Sequence, residues 1–135
     1  MDVMKWPKRV ALVGTIAVTV AACAPRMAPP PAFADYAANV QVARLLAGAC
    51  PSVALDQSAM GAGARDLGVA LRDQGFTPDD IAAFPNTLDT GAIEARTRAY
   101  LAANAVDLDA PATACTAARA EMDRGSAIGA FLTAG

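Results

Sequence analysis

No histidine occurs in the 135 residues, which removes Ser–His and Cys–His nucleophile pairs and most catalytic zinc sites in one step. Lysine is nearly missing too. Lys5 and Lys8 are the only two, and with Arg9 they crowd the first nine positions. From Cys23 onward eight arginines face twelve acids, a net charge of −4. That balance, with no basic run, leaves no electrostatic footprint for nucleic acid. No segment alternates apolar and polar residues over a strand's length, and no apolar run reaches the ~20 residues of a bilayer-crossing helix. The paired acids Asp79 with Asp80 and Asp107 with Asp109 stand at expected helix starts, where capping accounts for them. A calcium loop needs more oxygen ligands in ordered spacing. The chain is therefore expected not to be an enzyme and to hold no metal or cofactor.

What is abundant is small and apolar. Hydrophobic residues make up 55% of the chain, and 35 residues are alanine, which favours helix while burying little surface per side chain. The length allows one domain with short extensions. A thin core in a small exported domain is commonly supplemented by a covalent staple, so the three cysteines, Cys23, Cys50 and Cys115, matter. An odd count in an exported protein means that one is consumed or reactive. If Cys23 is consumed, Cys50 and Cys115 are left to pair. Closing that 65-residue loop would stabilise the fold by about 4 kcal/mol on the chain-entropy model; buried free thiols are the alternative.

The first 22 residues have the layout of a signal peptide: a basic start (1–9), then an uncharged apolar run (10–22) that ends in small side chains. Gly14, Thr15 and Thr19 weaken that run further as a permanent span. Val20-Ala21-Ala22-Cys23 resembles the lipobox of bacterial lipoproteins. On that resemblance, Val20, Ala21 and Ala22 are the signal-peptidase recognition residues. The Cys23 thiol is then the nucleophile that accepts a diacylglyceryl group, and the new amino terminus can be acylated. Cleavage after Ala22 or Ala24, with Cys23 left as a thiol, is the competing outcome. Two or more acyl chains make anchoring durable, at about 0.8 kcal/mol per buried methylene. Ala24, where some lipoproteins carry Asp, implies outer-membrane sorting by the same resemblance. Residues 24–32 are proline-rich and are expected to form an extended, non-helical tether. The expected organisation is thus a signal peptide over 1–22, a lipidated Cys23 with its tether over 23–32, and a helical domain over 33–135.

Helical spacing begins at Phe33, with Tyr36, Ala37, Val40, Arg44 and Ala47, and stops at Gly48 and Pro51. Ser52 is the expected cap of a second helix carrying Val53, Met60, Ala64, Leu67 and Leu71, up to Gly75. Gly61, Gly63 and Gly68 in it fit close helix packing better than a phosphate cradle, since no strand precedes them. Phe76-Thr77-Pro78-Asp79-Asp80-Ile81 is the sharpest local signal: Thr77 as N-cap, Pro78 in the first helical position, Phe76 stapled to Ile81. That helix should end before Pro85. Asp89 or Thr90 opens a fourth, with Ile93, Thr97, Tyr100 and Leu101 on one face and Glu94 and Arg98 paired outside it. Asp109 and Pro111 open the last, with Cys115, Ala118 and Met122 inward, until Gly125-Ser126 breaks it. Ser126, without a base, reads as a cap rather than a nucleophile. Arg96, Arg98, Arg119 and Arg124 read as solvated charges. The expected fold is all-α: a small antiparallel array of about four to five helices, stapled by one disulfide.

Tyr100-Leu101, Cys115, Glu121, Gly125-Ser126, Ile128-Gly129 and Leu132, together with Cys50-Pro51 and Gly75-Phe76-Thr77, resemble a family of small exported alphaproteobacterial proteins, domain of unknown function 5333. The resemblance spans roughly residues 35–132. It implies a helical fold with two matching cysteines and brings no activity. The expected function is a membrane-anchored, periplasm-facing, non-catalytic accessory module. Its partners would be the membrane, through the lipid on Cys23, and an envelope protein. The alternative is a carrier of an apolar ligand in a cavity lined by Leu67, Leu71, Ile93, Tyr100 and Met122.

Overall fold

A computed structural model describes residues 27–135. The signal peptide, its recognition residues Val20, Ala21 and Ala22, the lipidation site Cys23 and the first part of the tether lie outside the described residues. The described residues form five α-helices: α1 (Pro31–Ala49), α2 (Gln57–Asp73), α3 (Pro78–Thr87), α4 (Thr90–Ala103) and α5 (Pro111–Arg124). Two short strands, β1 (Val53–Leu55) and β2 (Leu132–Ala134), and a 3-10 turn over Gly129–Phe131 complete them. The fold is mostly all-α, as expected. None of the described helices is long and apolar enough to cross a membrane.

α1 starts at Pro31, inside the stretch expected to be non-helical. Pro31 occupies the first helical position, where the missing N–H would have had no partner and the fixed φ suits the helix. The amides of Phe33 and Ala34 close on the Pro30 carbonyl at 3.0 and 3.3 Å. At the other end, Cys50 caps the helix and bonds to Cys115 on α5, with Cα atoms 4.9 Å apart. The expected disulfide is present.

The second helix differs from expectation. Ser52 caps nothing there, and Val53 belongs to a strand that pairs antiparallel with the carboxy-terminal segment, Val53 opposite Ala134 and Leu55 opposite Leu132. Asp56 is the true cap of α2, its Oδ1 accepting the Ala59 amide at 2.8 Å. α3 also departs, because Pro85 lies inside it and the helix runs on to Thr87. A proline so near the end of a ten-residue helix forfeits one hydrogen bond, and the Thr87 hydroxyl secures the last turn by donating to the Phe84 carbonyl at 3.2 Å. Its start is as expected: Thr77 Oγ1 accepts the Asp80 amide while Asp80 Oδ2 accepts the Thr77 amide at 2.8 Å. α4 is capped by Asp89. α5 has no side-chain cap, and Asp109 is not its cap as expected; Thr113 Oγ1 instead accepts the Asp107 amide at 2.9 Å and ties the preceding loop down.

Three helices end alike. After α2, α4 and α5 the amides of Phe76, Val106 and Ser126 reach back to the carbonyls of Leu71, Leu101 and Glu121. The turning residue is Gly75 at φ +95°, Ala105 at φ +50° and Gly125 at φ +60°. Only Ala105 takes that left-handed conformation with a Cβ to accommodate.

α1 packs along α4 and α5, and alanines set the spacing. Ala43 on α1 and Ala114, Ala117 and Ala118 on α5 are buried, with Val42, Leu46, Cys50, Phe131 and Leu132 filling the space around them. A satellite cluster lies under the α2–α3 hairpin, where Phe84, 1% exposed, meets Phe33 and Phe76 edge-on at 5.4 and 5.3 Å.

Candidate functional site

Two features concentrate chemistry: a buried carboxylate and an apolar groove. The carboxylate belongs to Glu121 on α5, 3% exposed. It falls on the stripe of Ala114, Ala117 and Ala118, the helix's buried face. A charge there needs partners, and it has three. Tyr100 on α4 donates to Oε1 at 2.7 Å. Arg124 donates to the same oxygen, and the Ser126 hydroxyl donates to Oε2. Ser126 Oγ in turn accepts the Gly129 amide at 2.9 Å, so it caps the 3-10 turn as well. Burial first, and the hydrogen bond to Glu121 second, push the Tyr100 phenol well above its usual range. Gly129 presses on the Glu121 backbone so closely that a Cβ would run into the Glu121 carbonyl. Both Glu121 carboxylate oxygens and the Tyr100 and Ser126 hydroxyls are engaged within the cluster, while the Arg124 side chain stays largely exposed. The cluster locks α4, α5 and the carboxy-terminal turn together.

The groove is the opposite. It opens between α1, α2 and α3 and encloses about 450 Å³. α1 contributes Phe33, Ala37 and Val40; α2 contributes Ala64, Leu67 and Leu71; Ile81 and Pro85 of α3, with Leu88 just beyond, complete the wall. Gly68 keeps one side open, with nothing within 4 Å of where its Cβ would stand. Gly63 does different work: its Cβ would stand 3.2 Å from the Phe131 ring and 3.3 Å from that of Tyr36, so it is a packing glycine. The polar lining consists of Tyr36, Gln41 and Arg44, and the Tyr36 hydroxyl already donates to the Met60 carbonyl at 2.9 Å.

Of the five residues expected to line a cavity, Leu67 and Leu71 do line the groove. Ile93 is buried on α4, and Tyr100 and Met122 pack against the main core. Phe33, Val40 and Ile81 were missed as lining residues, although Phe33 and Val40 belong to the stripe that marked α1. The arginines read as solvated have partners. Arg96 pairs with Asp35 at 2.7 Å and Arg98 with Glu94 at 3.8 Å, all four exposed. Arg119 reaches the Ser52 hydroxyl at 3.4 Å.

Fold and site together define a small, disulfide-stapled helical domain with an apolar surface groove. The chain belongs to the Family of unknown function (DUF5333), whose model matches residues 26–133. No curated protein and no solved structure matches it.

Proposed function

We propose that the chain is exported, lipidated at Cys23 and held at the bacterial envelope facing the periplasm, where its helical domain binds a small apolar ligand without catalysing a reaction. The anchor rests on the sequence alone: a basic start, a short apolar run, Val20-Ala21-Ala22-Cys23, and a cysteine pair that balances once Cys23 is taken. The groove carries the ligand reading. Its volume of about 450 Å³ falls in the range of small-molecule sites, roughly 300–1,000 Å³, and its wall is apolar. The protein-partner reading comes second. Beyond the groove, the large exposed apolar side chains among the described residues, Met27, Val69 and Leu108, stand on separate elements rather than in a patch. In its favour, a groove open along a helix also suits an amphipathic helix of an envelope protein.

An uncharged fluorescent naphthylamine titrated into the full chain should brighten to saturation at one equivalent. Ala64→Trp, which fills the groove from α2, should abolish the signal without lowering the melting temperature. A signal that never saturates, or survives Ala64→Trp, contradicts the ligand reading. For the anchor, the intact mass of membrane-extracted protein should begin at an acylated Cys23, and Cys23→Ser should release the protein from membranes. A soluble, unacylated mature form contradicts the anchor.

A further inference from the structure

The groove's lining contains no Asp or Glu and one formally charged side chain, Arg44. This is notable in a chain that is net negative from Cys23 onward. Arg44 stands one helical turn beyond Val40 on the stripe Phe33, Ala37, Val40, so it marks one end of the α1 wall. At about 1.5 Å per residue, roughly 16 Å of helix separate it from Phe33. Unlike Arg96, Arg98 and Arg124, it makes no ion pair among the described residues. Gln41 lines the same wall beside it. An apolar trough of that length, ending in an unpaired guanidinium with an amide nearby, complements a single alkyl chain that ends in a carboxylate.

Resting on the apolar-ligand reading above, we infer that the groove binds a free fatty acid, its carboxylate at Arg44 and its chain running along α1 toward Phe33. The ligand is a free acid rather than the protein's own anchor. Acyl chains on Cys23 would be held as esters and an amide, which carry no charge and would leave Arg44 uncompensated. The aliphatic part meets Val40 and Leu67 and runs past Leu88 to Phe33, with Leu71 buried in the wall behind them. No bond is made or broken.

Calorimetric titration of the full chain with dodecanoate and with dodecanol, both below their aggregation concentrations, tests this. Dodecanoate should bind at least tenfold more tightly than dodecanol. Shortening it to decanoate should weaken binding about fifteenfold, since each methylene contributes about fourfold. Arg44→Gln should bring dodecanoate down to the dodecanol level, leave dodecanol unchanged, and leave the melting temperature unaltered because Arg44 is exposed. Equal binding of acid and alcohol by the unaltered chain, or an equal loss of both in Arg44→Gln, overturns the carboxylate assignment while the apolar-ligand reading stands. Failure of both ligands to bind overturns the two together.

Discussion

The Tyr100 hydroxyl donates to Glu121 Oε1 at 2.7 Å, joining α4 to α5 through a carboxylate that solvent hardly reaches. Removing the acceptor strands the Tyr100 and Ser126 hydroxyls and unpairs the exposed Arg124, whereas removing one donor leaves two in place. Glu121→Ala should therefore cost about 3 kcal/mol and Tyr100→Phe about 1 kcal/mol, read as shifts in the urea midpoint. A Glu121→Ala cost no larger than that of Tyr100→Phe would show that the lock is not cooperative.

The same bond sets an alkaline limit. The Tyr100 phenol titrates above its ordinary value of 10.0 because it is buried and because it donates to Glu121. Below pH 10 both folded and unfolded phenols hold their protons and the contribution is complete. As pH rises, the unfolded phenol ionises first, and the contribution is lost progressively up to the folded-state value. The urea midpoint should fall as the pH rises above 10, and Tyr100→Phe should show a smaller fall. An identical fall in the variant would assign the loss to other groups.

Helix ends and close approaches make the small residues unequal. Gly129→Ala should cost about 3 kcal/mol or more, because its Cβ meets the Glu121 backbone rather than a side chain that can turn away. Gly63→Ala should cost about 1 kcal/mol, since the Phe131 and Tyr36 rings have to give slightly. Gly68→Ala meets open space in mid-helix and should stabilise by about 0.5 kcal/mol. Ala105→Gly should also stabilise, by about 0.5 kcal/mol, by relieving a left-handed alanine. Thermal melts of the four variants give the order.

The staple closes a separation of 65 residues, and on the chain-entropy model it contributes about 4 kcal/mol. It matters here because four of the twelve buried residues of the main core are alanine, which contributes little burial per side chain. Reduction of the purified chain should lower the melting temperature by more than 10 °C, at about 4–8 °C per kcal/mol for a domain of this size. An unchanged melt would mean that the core suffices without the staple.

Legibility followed the range of the interactions. The Thr77 cap and Pro78 were readable because every partner lies within one helical turn. Pro31 and Pro85 were misjudged from a general rule: one sits where a helix needs no amide, and the other where only a short remainder of helix is at stake. Val53–Leu55 passed for helix because three residues show no period, and their strand exists only through Leu132–Ala134 at the far end of the chain. Glu121 carried a local sign that was not used, a carboxylate on the alanine face of α5. The groove was half visible. Leu67 and Leu71 lie on an apolar stripe, but which of α1, α3 or α4 faces them depends on how the helices cross, and no local pattern encodes that.

The α1–α2–α3 groove is the proposed seat of an apolar ligand. The most direct measurement is photolabelling of the full chain with an alkyl alcohol that carries a diazirine, followed by peptide mapping of the adducts. Labels should fall on Phe33, Val40, Leu67 and Leu88, and excess dodecanol should compete them away. Labels concentrated around Val69, Leu108 or the Glu121–Ser126 lock, or labels that dodecanol does not displace, would contradict it.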